Sequence, residues 1–269
     1  MITINGKAFE GLNYPDGTMK LTIPNDIEHA KGEAIQFVWK YEQEIELIQL
    51  HYLASQIKIL FPDAPLILFM PYLPNARMDR IHDEHEVFTL KHFCSLINSI
   101  GFSKIKVLDV HSSVGIALLN NGINLSPEPY IREAMNRAKF NTTDCLFFPD
   151  EGSQKRYASM LPEYKNVAFG IKERDWETGQ IKGLDVHGCD VKDRDVFIID
   201  DICAHGGTVY HSALKLKELG CNDIYVFFTH CENSIAKGKL FSCGLIKKIY
   251  TTDSICTLGN SDIMDIFTI

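Results

Sequence analysis

The apolar residues of this chain fall into short runs that alternate with longer segments of helical periodicity. The runs predict strands at residues 34–39, 65–70, 105–110, 144–148, 166–171, 195–199, 223–228, 247–252 and 263–269. Between them, apolar residues recur with a helical period and predict helices at residues 42–60, 86–100, 127–140, 154–161 and 208–219. Strands that alternate with helices are typical of α/β proteins, in which mainly parallel sheets are flanked by helices.

Two stretches interrupt this alternation. Residues 120–129 have the least regular pattern before the middle of the chain, so we predict one domain at residues 1–124 and a second at residues 125–269. Residues 175–194 are polar, contain three glycines and join two predicted strands. Because connections of this length in compact domains often act as lids, we interpret the segment as a mobile flap.

The composition is that of a globular protein and excludes several classes of partner. Hydrophobic residues make up 45% of the 269 positions, yet no apolar run reaches the ~18–20 residues that span a bilayer. The first residues lack the basic start and apolar stretch of a signal peptide, so we expect a cytoplasmic protein with no membrane partner. The net charge of −8 and the lack of a basic stripe argue against a nucleic-acid partner.

Eight cysteines are scattered along the chain without a C-x-x-C pair. Since no secretion signal is evident, we expect reduced and mostly buried thiols rather than disulfides. Their spacing also does not fit a structural zinc site.

The strongest candidate for chemistry is the segment at residues 196–208. An apolar strand leads into Asp200 and Asp201, passes through Gly206 and Gly207, and opens a helix at Thr208. Glycines let backbone N–H groups converge on an anion at a helix N-terminus, and adjacent carboxylates can accept hydrogen bonds from sugar hydroxyls. The alternative is a helix N-cap that follows a solvated acidic pair.

This segment resembles the phosphoribosyl pyrophosphate loop shared by type I phosphoribosyltransferases and ribose-phosphate pyrophosphokinases. Five further segments resemble the pyrophosphokinase motifs F-P-D-G-E, P-Y-x-P-Y-A-R-Q-D-K/R, D-L-H, S-P-D-x-G and K-x-R. In the family's order they are Tyr14-Pro15-Asp16-Gly17, PYLPNARMDR at residues 71–80, Asp109-Val110-His111, Phe148-Pro149-Asp150-Glu151-Gly152 and Lys172-Glu173-Arg174. The chain is therefore similar to the ribose-phosphate pyrophosphokinases from about Gly11 to its C-terminus.

The resemblance implies two α/β domains, each similar to a type I phosphoribosyltransferase. The domain at residues 1–124 would bind the nucleotide, and the domain at residues 125–269 would carry the ribose-phosphate loop and the catalytic flap. The implied reaction transfers the pyrophosphoryl group of ATP to the anomeric C1 hydroxyl of a ribose 5-phosphate group and releases AMP. It implies Mg²⁺ as the cofactor and a homo-oligomer as the assembly.

The resemblance also assigns roles to individual residues. The residues implied to bind ATP are Tyr14, Asp16, Arg77 and Asp79, and those implied to bind the metal are Asp109, His111 and Asp150. The implied catalytic residues are Lys172 and Arg174. The residues implied to bind the ribose phosphate are Asp200, Asp201, Ala204, His205, Gly206, Gly207 and Thr208. Asp109 and His111 stand at positions i and i+2 near a predicted strand end, so we expect both side chains on one face.

Each of these residues also has a structural alternative. His111 could be a hydrogen-bonded core histidine, Arg77 a member of a surface ion pair, and Asp150 a turn aspartate. Tyr14 could be a half-buried tyrosine without a ligand, and Lys172 and Arg174 could lie on a solvated edge strand.

The chain departs from the family in three segments. Because the match to F-P-D-G-E begins only at Tyr14, we expect the family's opening strand and helix to be absent, and with them a region linked in the family to subunit contacts and allosteric phosphate binding. Residues 81–86 are more acidic than in the family. In the phosphate loop, Ala204 and His205 replace the family's Asp and Thr, which removes a carboxylate and opens space. We therefore hypothesise that the acceptor is either ribose 5-phosphate, which would yield phosphoribosyl pyrophosphate, or ADP-ribose, which would yield ADP-ribose pyrophosphate for NAD synthesis.

Two other functions remain open at this point. A catalytically inactive regulatory relative would bind an active enzyme, and retention of Lys172 and Arg174 argues against it. A phosphoribosyltransferase would consume the pyrophosphorylated sugar, and the segments around Tyr14 and Arg77 argue against that function.

Overall fold

The computed structural model describes residues 1–27, 32–174 and 181–269, apart from the side chains of residues 172–174 and 181–183. The chain divides into two compact units, Met1–Ser126 and Pro127–Ile269. Both units are α/β, with helices packed on mainly parallel sheets. The predicted fold class is confirmed.

The first unit is built on a six-stranded sheet in the order β2-β1-β5-β6-β7-β8. Strands β5 to β8 are parallel, whereas β1 is antiparallel to both of its neighbours. Strands β3 and β4 form a separate antiparallel hairpin. The strands are β1 Ile2–Ile4, β2 Lys7–Ala8, β3 Glu10–Asn13, β4 Met19–Thr22, β5 Ile35–Trp39, β6 Leu66–Met70, β7 Lys104–Leu108 and β8 Gly122–Leu125, and the helices are α1 Ile45–Leu60, α2 Thr89–Ile100 and α3 Ser113–Leu118.

The second unit is built on a seven-stranded sheet in the order β11-β10-β9-β12-β13-β14-β15. All neighbouring strands are parallel except β11, which is antiparallel to β10. The strands are β9 Cys145–Phe148, β10 Val167–Arg174, β11 Ile181–Gly188, β12 Val196–Cys203, β13 Ile224–Cys231, β14 Lys248–Thr252 and β15 Met264–Phe267, and the helices are α4 Glu128–Ala138, α5 Glu151–Tyr157, α6 Gly207–Glu218 and α7 Lys239–Ser242. Two 3₁₀ turns lie at Ala158–Met160 and Asn233–Lys237.

Strand β12 lies in the centre of this sheet and is buried on both faces. Val196 and Ile198 pack into an apolar cluster with residues of α6, and Phe197 and Ile199 pack into a second cluster with residues of α4. A parallel strand covered on both faces requires apolar side chains at successive positions. This explains why the sequence shows a continuous apolar run here and no alternation.

All nine predicted strands and all five predicted helices have counterparts in the structure. The sequence interpretation missed strands β1 to β4, β8 and β11 and the short helices α3 and α7. Strand β8 lies within the stretch that was predicted to be irregular, where it pairs with β7. Apart from β11, which has eight residues, the missed elements are six residues long or shorter. Each missed strand pairs with a neighbouring strand through backbone hydrogen bonds.

The predicted flap is partly a strand. Residues 181–188 form β11, which pairs with β10, so the interpretation of the whole segment as a loop is wrong for these positions. Pairing with β10 satisfies the backbone of β11 whatever its side chains are, which is why a polar sequence did not predict a strand. Residues 175–180 lie outside the described part of the chain.

The cysteines and the helices add two observations. All eight cysteines are free thiols, and six of them are buried. Cys145 and Cys189 bring their sulfur atoms to 3.1 Å from each other. Within the described residues, the helices are too short or too polar to cross a membrane.

Candidate active site

The two adjacent carboxylates of the second unit lie within strand β12, because this strand continues beyond its predicted end to Cys203. Asp200 is opposite Phe228 of β13 in the strand register. Since successive residues of a strand point to opposite faces, Asp200 lies on the α6 face of the sheet and Asp201 on the α4 and α5 face. The two carboxylates therefore lie on opposite faces of the sheet, and their joint binding of sugar hydroxyls stays a prediction.

Asp201 is held by a partner that the sequence interpretation missed. Nη1 of Arg156, on helix α5, lies 2.9 Å from Oδ2 of Asp201, and the Asp201 side chain is only 10% exposed. The other carboxylate oxygen, Oδ1, accepts the N–H of Ile202 at 2.9 Å. Asp200 is half-buried, and its Oδ1 accepts the N–H of Asp201 at 3.1 Å.

The turn between β12 and α6 depends on close approaches of the backbone. Gly206 has φ 74° and directly precedes α6, and a Cβ atom there would lie 2.6 Å from Cδ2 of Leu240. Gly238 also approaches the turn closely, and a Cβ atom there would lie 2.0 Å from the carbonyl oxygen of His205. The turn is therefore packed against residues 234–240.

Several predicted phosphate-loop residues are accessible in this turn. His205 and Gly207 are exposed, and Ala204 and Thr208 are half-buried. The N–H groups in the first turn of an α-helix have no acceptor within the helix and can donate to an anion. The imidazole of His205 has a protein contact, since its Nδ1 lies 3.2 Å from the carbonyl oxygen of Ser234.

Asp150 is the N-cap of helix α5, which begins three residues earlier than predicted. Its Oδ1 accepts the N–H of Ser153 at 3.0 Å, and the Ser153 hydroxyl completes a reciprocal capping box. The structure therefore gives Asp150 a local role close to the predicted alternative of a turn aspartate. Because β9 is next to β12, Asp150 and the end of β12 share the carboxyl edge of the sheet.

Lys172 and Arg174 lie on β10, opposite Leu184 and Ile181 of β11. Their side chains are outside the described part of the structure. Their catalytic role stays a prediction from the sequence.

In the first unit, the proposed metal ligands do not have the expected strand geometry. Strand β7 ends at Leu108, and Asp109 adopts the left-handed conformation with φ 43°. The inference that Asp109 and His111 face the same way because both are extended is wrong. The N–H of Asp109 donates to the carbonyl of Leu125 at 3.0 Å, and that of Val110 to Oδ1 of Asn124 at 3.0 Å. Hydrogen bonds to β8 thus continue past the end of β7, while the left-handed Asp109 interrupts the strand conformation.

The donor types at these positions fit magnesium bound together with a phosphate substrate. Mg²⁺ is usually held by one or two carboxylates, substrate phosphates and water rather than by an all-protein cage. Within the described residues, no three His, Cys, Asp or Glu side chains form a cluster that could hold a metal. Asp109 is buried and His111 is half-buried, and a histidine would serve Mg²⁺ better through water than directly.

The predicted adenine contact lies in the turn of the β3–β4 hairpin. Tyr14 is 48% exposed, so the alternative of a half-buried tyrosine does not describe it. Oδ1 of Asp16 accepts the hydroxyl of Thr18 at 2.7 Å and its N–H at 2.9 Å. These two hydrogen bonds hold the pKa of the Asp16 carboxyl below its ordinary value. The turn thus presents an aromatic ring beside a carboxylate that stays ionised.

Arg77 and Asp79 follow strand β6 in a segment anchored by two buried residues, Leu73 and Ala76. Arg77 is exposed, and Asp79 is half-buried. Nε of Arg80 lies 3.3 Å from Oδ1 of Asp79. The segment can therefore present a guanidinium group to an anion while its apolar residues fix the backbone.

Comparisons with known proteins support the same family resemblance. No protein-family model matches the sequence. A ribose-phosphate pyrophosphokinase of Saccharolobus solfataricus is 26% identical over 250 residues, which cover 86% of this chain and 84% of that protein. Ribose-phosphate pyrophosphokinase 2 of Archaeoglobus fulgidus is 27% identical, over 94% of this chain and 86% of that protein.

A solved structure supports the fold. The crystal structure of phosphoribosylpyrophosphate synthetase from Mycobacterium smegmatis superposes with a TM-score of 0.76 at 16% identity, over 97% of this chain and 86% of that one. The likeness extends over both units and confirms the fold predicted from the resemblance.

Proposed function

We propose that this chain, a homologue of the ribose-phosphate pyrophosphokinases, transfers the pyrophosphoryl group of ATP to the C1 hydroxyl of ribose 5-phosphate and releases AMP. The enzymes that carry this name are transferases, and the similarity extends over most of their length. The observation that carries the proposal is the turn from β12 into α6. It combines an accessible carboxylate, a left-handed glycine and the first turn of a helix, which together suit a phosphorylated sugar.

The second unit would bind the acceptor. The N–H groups at the start of α6, with the positive end of the helix dipole, favour the 5-phosphate. Asp200, half-buried on the α6 face, can accept a hydrogen bond from a ribose hydroxyl. Lys172 and Arg174 would neutralise charge on the transferred group, a role that rests on their match to the family motif.

The first unit would bind ATP. The exposed ring of Tyr14 offers a stacking face for adenine, and Arg77 can pair with phosphate oxygens through two N–H groups. Asp16 and Asp79 remain part of this proposed nucleotide site. Asp109 and His111 are the residues of this unit that would hold Mg²⁺, which, when bound, neutralises charge on the phosphates. For Asp150 of the second unit, metal binding stays a prediction from the family motif.

The chemistry requires no protein nucleophile. The C1 hydroxyl oxygen attacks the β-phosphorus of ATP, the bond from that phosphorus to the oxygen bridging to the α-phosphate breaks, and the hydroxyl proton is released. Such transfers depend on the alignment of reactants and on stabilisation of developing charge. Basic side chains and glycine-turn N–H groups can supply both.

Ribose 5-phosphate is the acceptor that the names of the relatives support. The ADP-ribose hypothesis rested on Ala204 and His205. The imidazole of His205 already contacts the carbonyl of Ser234, so only the smaller side chain of Ala204 still favours a larger acceptor. ADP-ribose, and with it a role in NAD synthesis, remains the competing outcome of the kinetic test.

The test is to incubate the purified protein with Mg-ATP and each acceptor and to quantify AMP and ADP. AMP should form in step with ribose 5-phosphate consumption, and the Asp200→Asn variant should raise the KM for the acceptor without a similar change for ATP. A contaminating activity would not respond to this substitution. ADP as the main product would contradict the assignment. A kcat/KM that favours ADP-ribose by more than ~10-fold, about 1.4 kcal/mol, would instead support the ADP-ribose hypothesis.

The same measurement separates the other functions. An inactive regulatory relative would fold normally and release no AMP, and a phosphoribosyltransferase would consume phosphoribosyl pyrophosphate rather than form it. From the family resemblance we also propose a homo-oligomer, which sedimentation equilibrium would test.

A further inference from the structure

The ion pair between Arg156 and Asp201 joins helix α5 to the strand that leads into the glycine turn. We propose that Arg156 is a positioning residue for acceptor binding, which acts through Asp201 on the end of β12 and the turn that follows. This inference rests on the function proposed above. It adds a residue that does not itself contact the substrate.

The position of Arg156 is fixed by the helix that carries it. Asp150 caps the first turn of α5, and Ser153 is buried against that cap. Tyr157 is fully buried, and its ring centroid lies 6.5 Å from that of Phe148 at the end of β9. Because both ends of α5 are anchored, the guanidinium group of Arg156 approaches β12 from a defined direction.

Asp201 depends on this partner for its orientation. Its side chain is 10% exposed, and its two oxygens are engaged by Arg156 and by the N–H of Ile202. A buried carboxylate without a cation is strongly disfavoured, so the loss of Arg156 would drive Asp201 toward water or toward protonation. Either response disturbs the backbone at Ile202, because the same carboxylate accepts the N–H of that residue.

That disturbance lies close to the proposed phosphate site. Only Cys203 to His205 separate Ile202 from Gly206, and the turn has little room to adapt. The carbonyl of His205 is in close contact with Gly238, and Gly206 with Leu240. A shift at the end of β12 therefore changes the direction of the N–H groups that would bind the acceptor phosphate.

The experiment is a kinetic and stability cycle on the full chain with Arg156→Met, Asp201→Asn and the double variant. Methionine keeps much of the arginine stem and removes the charge. We expect Arg156→Met to raise the KM for ribose 5-phosphate by about 10-fold or more, while the KM for ATP changes by less than about 2-fold. Arg156→Lys should recover part of the acceptor affinity, because it restores the charge but not the planar donor pair.

The stability measurement tests the ion pair independently of enzymatic activity. The melting temperature of the double variant should exceed that of Arg156→Met, because the added Asp201→Asn change leaves no buried charge uncompensated. Arg132→Met is the matched control. Arg132 pairs with Glu128 at 2.7 Å, its side chain is 42% exposed, and its loss should leave both KM values unchanged.

The outcomes separate this inference from the proposed function. A wild-type protein that releases no AMP overturns both. An active wild type whose Arg156→Met variant keeps its acceptor KM, even with a lowered melting temperature, overturns the positioning role alone. Equal increases in the KM for ATP and for the acceptor would show a general structural role and would also overturn it.

Discussion

The close approach of Gly238 to the carbonyl of His205 leads to a sharp prediction for Gly238→Ala. Gly238 has φ −86° and ψ 159°, a conformation that alanine adopts without strain. The substitution therefore adds one methyl group and no conflict with the backbone of residue 238 itself. Any effect must come from contacts of the new Cβ atom.

Those contacts are severe. The Cβ atom would lie 2.0 Å from the His205 carbonyl oxygen and 2.9 Å from its carbonyl carbon, whereas real Cβ contacts essentially never fall below 3.0 Å. The turn or residue 238 must therefore move by about 1 Å. Misplacement of this size in a binding site can lower kcat/KM by about 10²-fold, and overpacking typically costs about 1–3 kcal/mol of stability.

The assay is AMP release at varied ribose 5-phosphate concentration, together with a thermal melt. Gly238→Ala should lower kcat/KM for the acceptor by about 10²-fold and lower the melting temperature by several degrees. Gly259→Ala is the matched control, because a Cβ atom there meets nothing within 4 Å and the residue has no positive φ. A Gly238→Ala variant with wild-type kinetics would refute the assignment of this turn to the acceptor site.

Two further predictions address the thiols and the flap. Burial raises the pKa of Cys94 to about 11, so the folded state keeps a proton that the unfolded chain loses above pH 9. Cys94 should therefore contribute a loss of stability on the order of 3 kcal/mol between pH 9 and 11, and urea titrations of Cys94→Ala should show a shallower decline. Lys172→Ala and Arg174→Ala should each lower kcat by at least ~10²-fold with a smaller effect on ATP binding, whereas Lys165→Ala should change neither. Wild-type kcat in both flap variants would remove them from the proposed catalytic residues.

The regular elements could be predicted because their periodicity is local. The apolar run at Val196–Ile199 indicates a strand buried on both faces, and the structure has it at the centre of a sheet. Strands β8 and β11 carry no such signal. Each is stabilised by backbone hydrogen bonds to a neighbouring strand, and backbone bonding leaves little trace in the identity of the side chains.

The candidate site likewise has features that the sequence predicts and features that it does not. The order of the motifs along the chain was enough to select Asp200, Asp201, the glycine turn and Asp109 as candidates. The sequence alone thus determined which residues are candidates and the order of the elements that carry them, because motifs and periodicity are properties of neighbouring residues. It did not determine the direction of any of these side chains.

Only the tertiary structure decided these directions. Asp200 and Asp201 face opposite sides because β12 continues past its predicted end, and Asp109 departs from strand geometry with φ 43° directly after β7. The pairing of Arg156 with Asp201 joins residues 45 positions apart, and Gly238 meets His205 from 33 positions away. Such contacts form because a packed helix and a tight turn bring distant residues together. The sequence around one residue therefore does not indicate which distant residue it contacts.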